Sequence, residues 1–174
     1  IPVQWMPWQQ ELLQPYLLPP ELPESELEEL VTYARTFVNR SDSDLLATLL
    51  DLNQTIHRDY TYRQGVTNIH TSPFEVYENR VGVCQDFATL FVTLVRFLNV
   101  PARYVCGYLH TGADDPNRAM AEESHAWAEV YLPEVGWRGF DPTNGCPAEE
   151  HHIRLAVGRN YRDVAPTSGV IYLG

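Results

Sequence analysis

The chain has 174 residues, 44% hydrophobic and 20% charged, which fits one soluble globular domain around a single sizeable core. Its formal net charge of −11 argues against a nucleic-acid or anionic-membrane partner, since both need a basic surface. The longest apolar run, near residues 90–98, is broken by Thr93 and Arg96 and is too short and too polar to span a bilayer.

Three cysteines, Cys84, Cys106 and Cys146, make an odd count without paired spacing, which predicts free thiols rather than a disulfide framework. A reducing, cytoplasmic setting is the matching expectation. The chain starts at Ile1 and shows no basic segment followed by an apolar one, the pattern of a signal peptide. All twelve basic residues are arginine.

In chain order, residues 1–23 carry six prolines together with Trp5 and Trp8, and they read as an extended arm or linker whose aromatics pack either on the domain formed by residues 24–174 or on something upstream. Ser25-Glu26-Leu27-Glu28 has the form of a capping box, followed by Leu27, Leu30, Val31, Ala34, Phe37 and Val38 at helical spacing. A second helix follows Ser43, with Leu45, Leu49, Leu52 and Ile56 on one face. Tyr60 to Tyr62 reads as extended and 65–71 as loop. Ser72-Pro73-Phe74-Glu75 opens a short third helix, because proline suits the first helical position and Glu75 can close the box.

Val81-Gly82-Val83-Cys84 then leads into a helix that is apolar around most of its circumference and ends at Asn99 and Pro101. Beyond it the pattern changes to short β-rich segments at 103–109, 126–132, 137–140, 153–157 and 170–173. A polar loop, 111–123, precedes His125. Helices first and strands afterwards predict an α+β fold, with the N-terminal helices packed on a small antiparallel sheet.

Three residues carry the chemistry. Cys84 falls at the start of the buried helix, where unpaired amides and the helix dipole favour a thiolate and can hold an oxyanion. His125 opens the alternating segment Ser124-His125-Ala126-Trp127-Ala128-Glu129, which puts Trp127 on the same strand face as a shield for the imidazole. Asp141 ends the next strand, where Pro142 stops the ladder. The tight turn Pro133-Glu134-Val135-Gly136 makes a hairpin whose open end holds both His125 and Asp141. Cysteine as nucleophile, histidine as base and aspartate as orienter is the division of labour these positions permit. Each of the three alone is more often a core cysteine, a structural histidine or a plain Asp-Pro turn.

Gly82-Val83-Cys84-Gln85-Asp86-Phe87-Ala88, Ser124-His125-Ala126-Trp127-Ala128-Glu129-Val130 and Gly136-Trp137-Arg138-Gly139-Phe140-Asp141-Pro142-Thr143 together resemble the core of the bacterial transglutaminase-like superfamily. Thr71-Ser72-Pro73-Phe74-Glu75-Val76 and the stretch from Gly158 to Gly169 extend the likeness, which runs from about residue 16 to the C-terminus. The resemblance implies a papain-like fold and thiol chemistry on carboxamides of a peptide or protein substrate: attack, a thioester intermediate, then release to water or an amine. Hydrolysis, as by a cysteine protease or amidase, is the favoured outcome. Alternatives are protein cross-linking, a non-catalytic binding scaffold, and a zinc hydrolase ligated by Cys84, His125 and Asp141.

Tyr62, Gln85 and Trp127 are secondary candidates for the oxyanion site or cleft, and His70 can line the cleft. No cofactor or metal is expected: His151 and His152 are adjacent on a strand, so they point to opposite faces, and no CxxC pair supports them. Cys106 is expected on a core strand and Cys146 in a loop after the aspartate.

Overall fold

The computed structural model describes residues 1–110 and 124–165; the expected loop at 111–123 and strand at 170–173 lie outside them. The elements are α1 (Pro7–Leu13), a 3₁₀ turn (Gln14–Tyr16), α2 (Glu24–Arg40), α3 (Leu45–Asp59), β1 (Thr61–Tyr62), α4 (Pro73–Asn79), β2 (Val81–Gly82) and α5 (Cys84–Phe97). They continue as β3 (Ala102–Leu109), β4 (His125–Leu132), β5 (Gly136–Asp141), β6 (Cys146–Ala148), β7 (His152–Gly158) and a last turn of helix, α6 (Tyr161–Val164). Helices precede strands, the α+β order expected. Among the described residues no helix is long and apolar enough to cross a membrane.

Strands β3 to β7 form a five-stranded sheet in the order β6-β5-β4-β3-β7, and every pairing is antiparallel. Helix α5 lies against β4 and β3 on one side and against α2, α3 and α4 on the other. It can sit there because Leu90, Phe91, Leu94 and Val95 are wholly buried, so both faces of the helix are apolar. Phe91 stacks on Phe140 of β5 at 5.6 Å, tying the helix to the hairpin.

Two boundaries differ from the sequence reading. Helix α2 starts at Glu24 with Pro23 as its cap, so Ser25 lies inside the helix and makes no cap bond. Glu24 and Glu26 in the first turn complement the positive end of the helix dipole without it. The N-terminal arm is not extended throughout. Dense prolines rule out one long helix, but Pro7 stands at the first position of α1, where its missing N–H costs nothing. The arm does pack on the domain: Trp5 is buried, its indole donates to Asn99 O at 2.8 Å, and Tyr16 meets Trp137 edge-on.

Other local signals appear as read: Ser72 and Glu75 form the reciprocal capping box of α4, and Glu134 and Gly136 take the left-handed conformations of a tight β4–β5 turn. Asp44, which the sequence reading did not single out, caps α3 by accepting from the Ala47 amide at 2.7 Å. Strand β6 was not expected. Cys146 lies in it, paired with Asp141, rather than in a loop.

Gly107 marks the closest approach in the sheet. It pairs with His125 on β4, and the β3–β7 register shifts beside it. A Cβ here would stand 2.1 Å from the Ile153 carbonyl and 2.5 Å from the Trp127 ring. Gly107→Ala is therefore expected to cost about 1–3 kcal/mol by overpacking, seen as a fall in thermal midpoint of about 2–4 °C per kcal/mol.

Candidate active site

Cys84 is the first residue of α5, and its side chain is buried. The turn before it explains the Gly-Val-Cys-Gln-Asp spacing. Asp86, in the first turn of the helix, folds back to accept from the Val83 amide at 2.8 Å and from the Thr67 hydroxyl at 2.6 Å. A Cβ at Gly82 would lie 2.8 Å from the Asp86 Cβ, so only glycine leaves room for this return. Burial pushes the Asp86 carboxyl up, and the Thr67 and Val83 bonds partly offset it. With this lock in place the Cys84 and Gln85 amides begin the helix, where N–H groups have no partner one turn back. Asp86→Ala is expected to remove both bonds and cost about 1–2 kcal/mol in a urea titration, the usual range for a lost helix cap.

His125 and Asp141 meet at the open end of the β4–β5 hairpin, with His125 Nε2 2.8 Å from Asp141 Oδ2. Asp141 is fully buried, yet every lone pair has a use. Its Oδ1 accepts from the Thr143 and Asn144 amides at 3.0 and 3.1 Å. Its Oδ2 accepts from the Asn144 side chain at 2.7 Å, and His152 Nε2 stands 2.9 Å from that same oxygen. Burial opposes the ionised carboxylate, but the two imidazoles and Asn144 more than offset that and hold it well below the ordinary carboxyl range.

For the His125 imidazole, burial favours the neutral ring. Bonds to Asp141 and Cys84, together with their negative charges, outweigh it and raise the group to about 9. Nε2 of the ring is taken by Asp141, which leaves Nδ1 as its second nitrogen. Cys84 is not part of the tight group formed by His125, Asp141 and His152, whose donor atoms all lie within 4.8 Å of one another. Its thiol also has Gln85 Oε1 at 3.5 Å.

The three principal sequence candidates thus come from α5, β4 and β5. The secondary ones divide. Tyr62 and Gln85 line, with Cys84, an open cleft of about 370 Å³. Gln85 also borders an adjoining groove of about 690 Å³, which runs between His70 of the 67–73 loop and Pro19 of the arm. Trp127 is corrected: it borders neither cleft. The alternation of β4 puts it behind His125, its ring stacked on the imidazole at 6.1 Å and wedged edge-on to His152 at 5.1 Å.

His152 was missed as a site residue. The strand-alternation rule set both histidines aside, whereas His151 lies in the turn before β7 and His152, the first residue of that strand, points at Asp141. The polar clamp on the turn after Asp141 was missed too. Asn53, Gln54 and His57 of α3 bond the carbonyls of Cys146, Gly145 and Thr143. The available signal was Asn53, an amide beside the apolar Leu49, Leu52 and Ile56 of α3.

A cysteine opening a helix that packs on an antiparallel sheet, with a histidine and an aspartate paired on that sheet, fits the papain-like folds. The chain belongs to the transglutaminase-like superfamily, whose family model matches residues 31–142. An uncharacterized protein of Mycobacterium tuberculosis is 41% identical over 134 residues, which are 74% of this chain and 43% of that one. A solved structure of a candidate cysteine protease from Cytophaga hutchinsonii superposes with TM-score 0.72 at 29% identity, covering 88% of this chain and 49% of that one. A protein-glutamine gamma-glutamyltransferase of Pseudomonas aeruginosa is 31% identical over 123 residues, 66% of this chain and 18% of that one. The chain therefore spans less than half the length of these relatives.

Proposed function

We propose that the chain is a cysteine-dependent acyl-transfer enzyme acting on amides of a peptide or protein, with water as the usual acceptor. The observation that carries the reading is the His125–Asp141 contact of 2.8 Å, which supports a charged imidazole whose free nitrogen serves the thiol at the start of α5.

In the reaction, Cys84 Sγ bonds to the amide carbon as the proton resides on His125 Nδ1. The oxyanion forms at the N-terminal end of α5, where the Cys84 amide donates to it; one such donor contributes roughly 3–4 kcal/mol in other enzymes. The C–N bond then breaks, the departing amine takes the proton from His125, and a thioester remains on Cys84. Water attacks it, giving a proton to His125, and the C–S bond breaks to release the acid. Asp141 keeps the imidazole oriented throughout and stabilises it whenever it carries the proton. The open cleft beside Tyr62 and Gln85 suits an extended chain entering from solvent, and the two side chains are the candidates for a second oxyanion donor. All three cysteines are free, which supports work in reducing surroundings.

The relative named as a gamma-glutamyltransferase supports a second reading, in which a primary amine takes the place of water. Incubating the protein with a peptide library, with and without a primary amine, separates the two by mass spectrometry. Cleaved or deamidated peptides that appear without amine are expected, and amine-linked peptides as the main product would instead establish transfer. Neither product forming would overturn both readings.

A further inference from the structure

We propose that His152 is a positioning residue for this reaction: it holds the Asp141 carboxylate in the orientation His125 uses. The inference rests on the assignment of Cys84 and His125 above.

The tautomer of His152 follows from its surroundings. Its Nδ1 accepts from the Glu149 backbone N–H at 3.2 Å, so the ring proton sits on Nε2 and is directed at Asp141 Oδ2, 2.9 Å away. The ring is further fixed by Trp127, which meets it edge-on at 5.1 Å. Its side chain is only 8% exposed, so no bulk water stands ready to replace it.

The direction of this bond matters. Among the described residues, apart from His125, every other donor to Asp141 comes from the two residues of its own turn, Thr143 and Asn144. They approach from one side and would move with the turn. His152 opens β7, the strand paired with β3, and meets the carboxylate from outside that turn. The carboxylate is therefore tied to β7 as well as to its own turn, and the imidazole bonded to the same oxygen is aligned with it. A buried acceptor with no water needs such a donor, and an orienting group must be fixed closely for the proton transfer to work.

The same three residues have the donor types of a divalent-metal site. To ligate through Nε2, His152 would have to shift its proton to Nδ1, against the Glu149 N–H. That opposition makes it a hydrogen-bond donor here and not a ligand.

The test is the rate of carbamidomethylation of Cys84 by iodoacetamide near pH 6, followed by peptide mapping, which needs no knowledge of the substrate. His152→Leu removes the donor and keeps the bulk. His152→Gln carries an amide that reaches the same oxygen, and His152→Asn is polar but too short. Groups that orient a metal-bound histidine or carboxylate are typically worth about 10–100-fold; on the low side of that scale the Leu and Asn variants are expected to label roughly tenfold more slowly and the Gln variant within about threefold of wild type. Melting curves on all three identify any that fail to fold, and the Gln and Asn pair carries the comparison alone. Leu or Asn labelling at the wild-type rate, or Gln slowed as much as they are, would overturn the inference while leaving the assignment of Cys84 intact. A wild type no faster than a free-thiol peptide would overturn both.

Discussion

Replacing Cys84 by alanine is expected to abolish amide turnover, by at least about 10³-fold, while leaving the fold in place. The size of the loss follows from the role: removing a nucleophile removes the covalent route altogether, and what survives is background binding and oxyanion stabilisation. The stability cost should be small, because the side chain is short and its neighbours Ala88, Ala126 and Tyr104 stay packed. Turnover of a responsive library peptide, measured beside a urea titration, checks both halves. A Cys84→Ala protein that still turns over the peptide would show that another group does the chemistry.

Asp141→Asn is the second substitution with a large effect. It keeps the volume but removes the charge, and Asn cannot accept as two oxygens from His125, His152, Asn144 and the turn amides at once. Loss of the orienting carboxylate in triad enzymes costs about 10⁴-fold in turnover, through the wrong tautomer and an unsupported imidazolium. The pH profile should change with it. In the wild type His125 stays protonated up to about 9, so the alkaline limb of kcat/KM is expected near that pH. Without the carboxylate, burial pulls the imidazole down and the limb should move towards the ordinary value of 6.5 or below.

The same shift affects stability. Because the folded pKa is raised, the stabilisation from charged His125 is complete below about 6.5 and is lost as the pH climbs through about 9. Its size is on the order of 3 kcal/mol, and urea midpoints at pH 6 and pH 9.5 should differ more for wild type than for Asp141→Asn. An alkaline limb that stays put in the variant would mean that Asp141 does not set the charge of His125.

Much of this arrangement was legible in the chain because it rests on local signals. Ser72 and Glu75 announced α4, the apolar girdle from Phe87 to Val95 announced a helix buried on both faces, and Pro133 to Gly136 announced the hairpin that brings His125 to Asp141. Gly82 and Asp86 carried less meaning in sequence than in space, since their constraint is a side chain folding back over its own turn. What was not legible depends on contacts between distant segments. His152 reaches Asp141 only because β7 joins the sheet beside β3, a pairing that no short-range pattern encodes. The grip of Asn53, Gln54 and His57 on the 143–146 turn is likewise long-range. The arm misled for a different reason: proline density was read as extended chain, although proline at the first helical position is compatible with α1.

The most direct measurement of the account is a competition among the three thiols of the native protein. Limited iodoacetamide near pH 6, followed by peptide mapping, reads which cysteine is nucleophilic. Burial, aided by the charge of Cys84 at one and of Asp141 at the other, pushes the Cys106 and Cys146 thiols up, so both should label slowly. Cys84, at the start of α5 and paired with the charged His125 in the proposed mechanism, should be modified first and almost alone. Cys84 reacting no faster than the other two, in protein shown to be folded, would contradict the account.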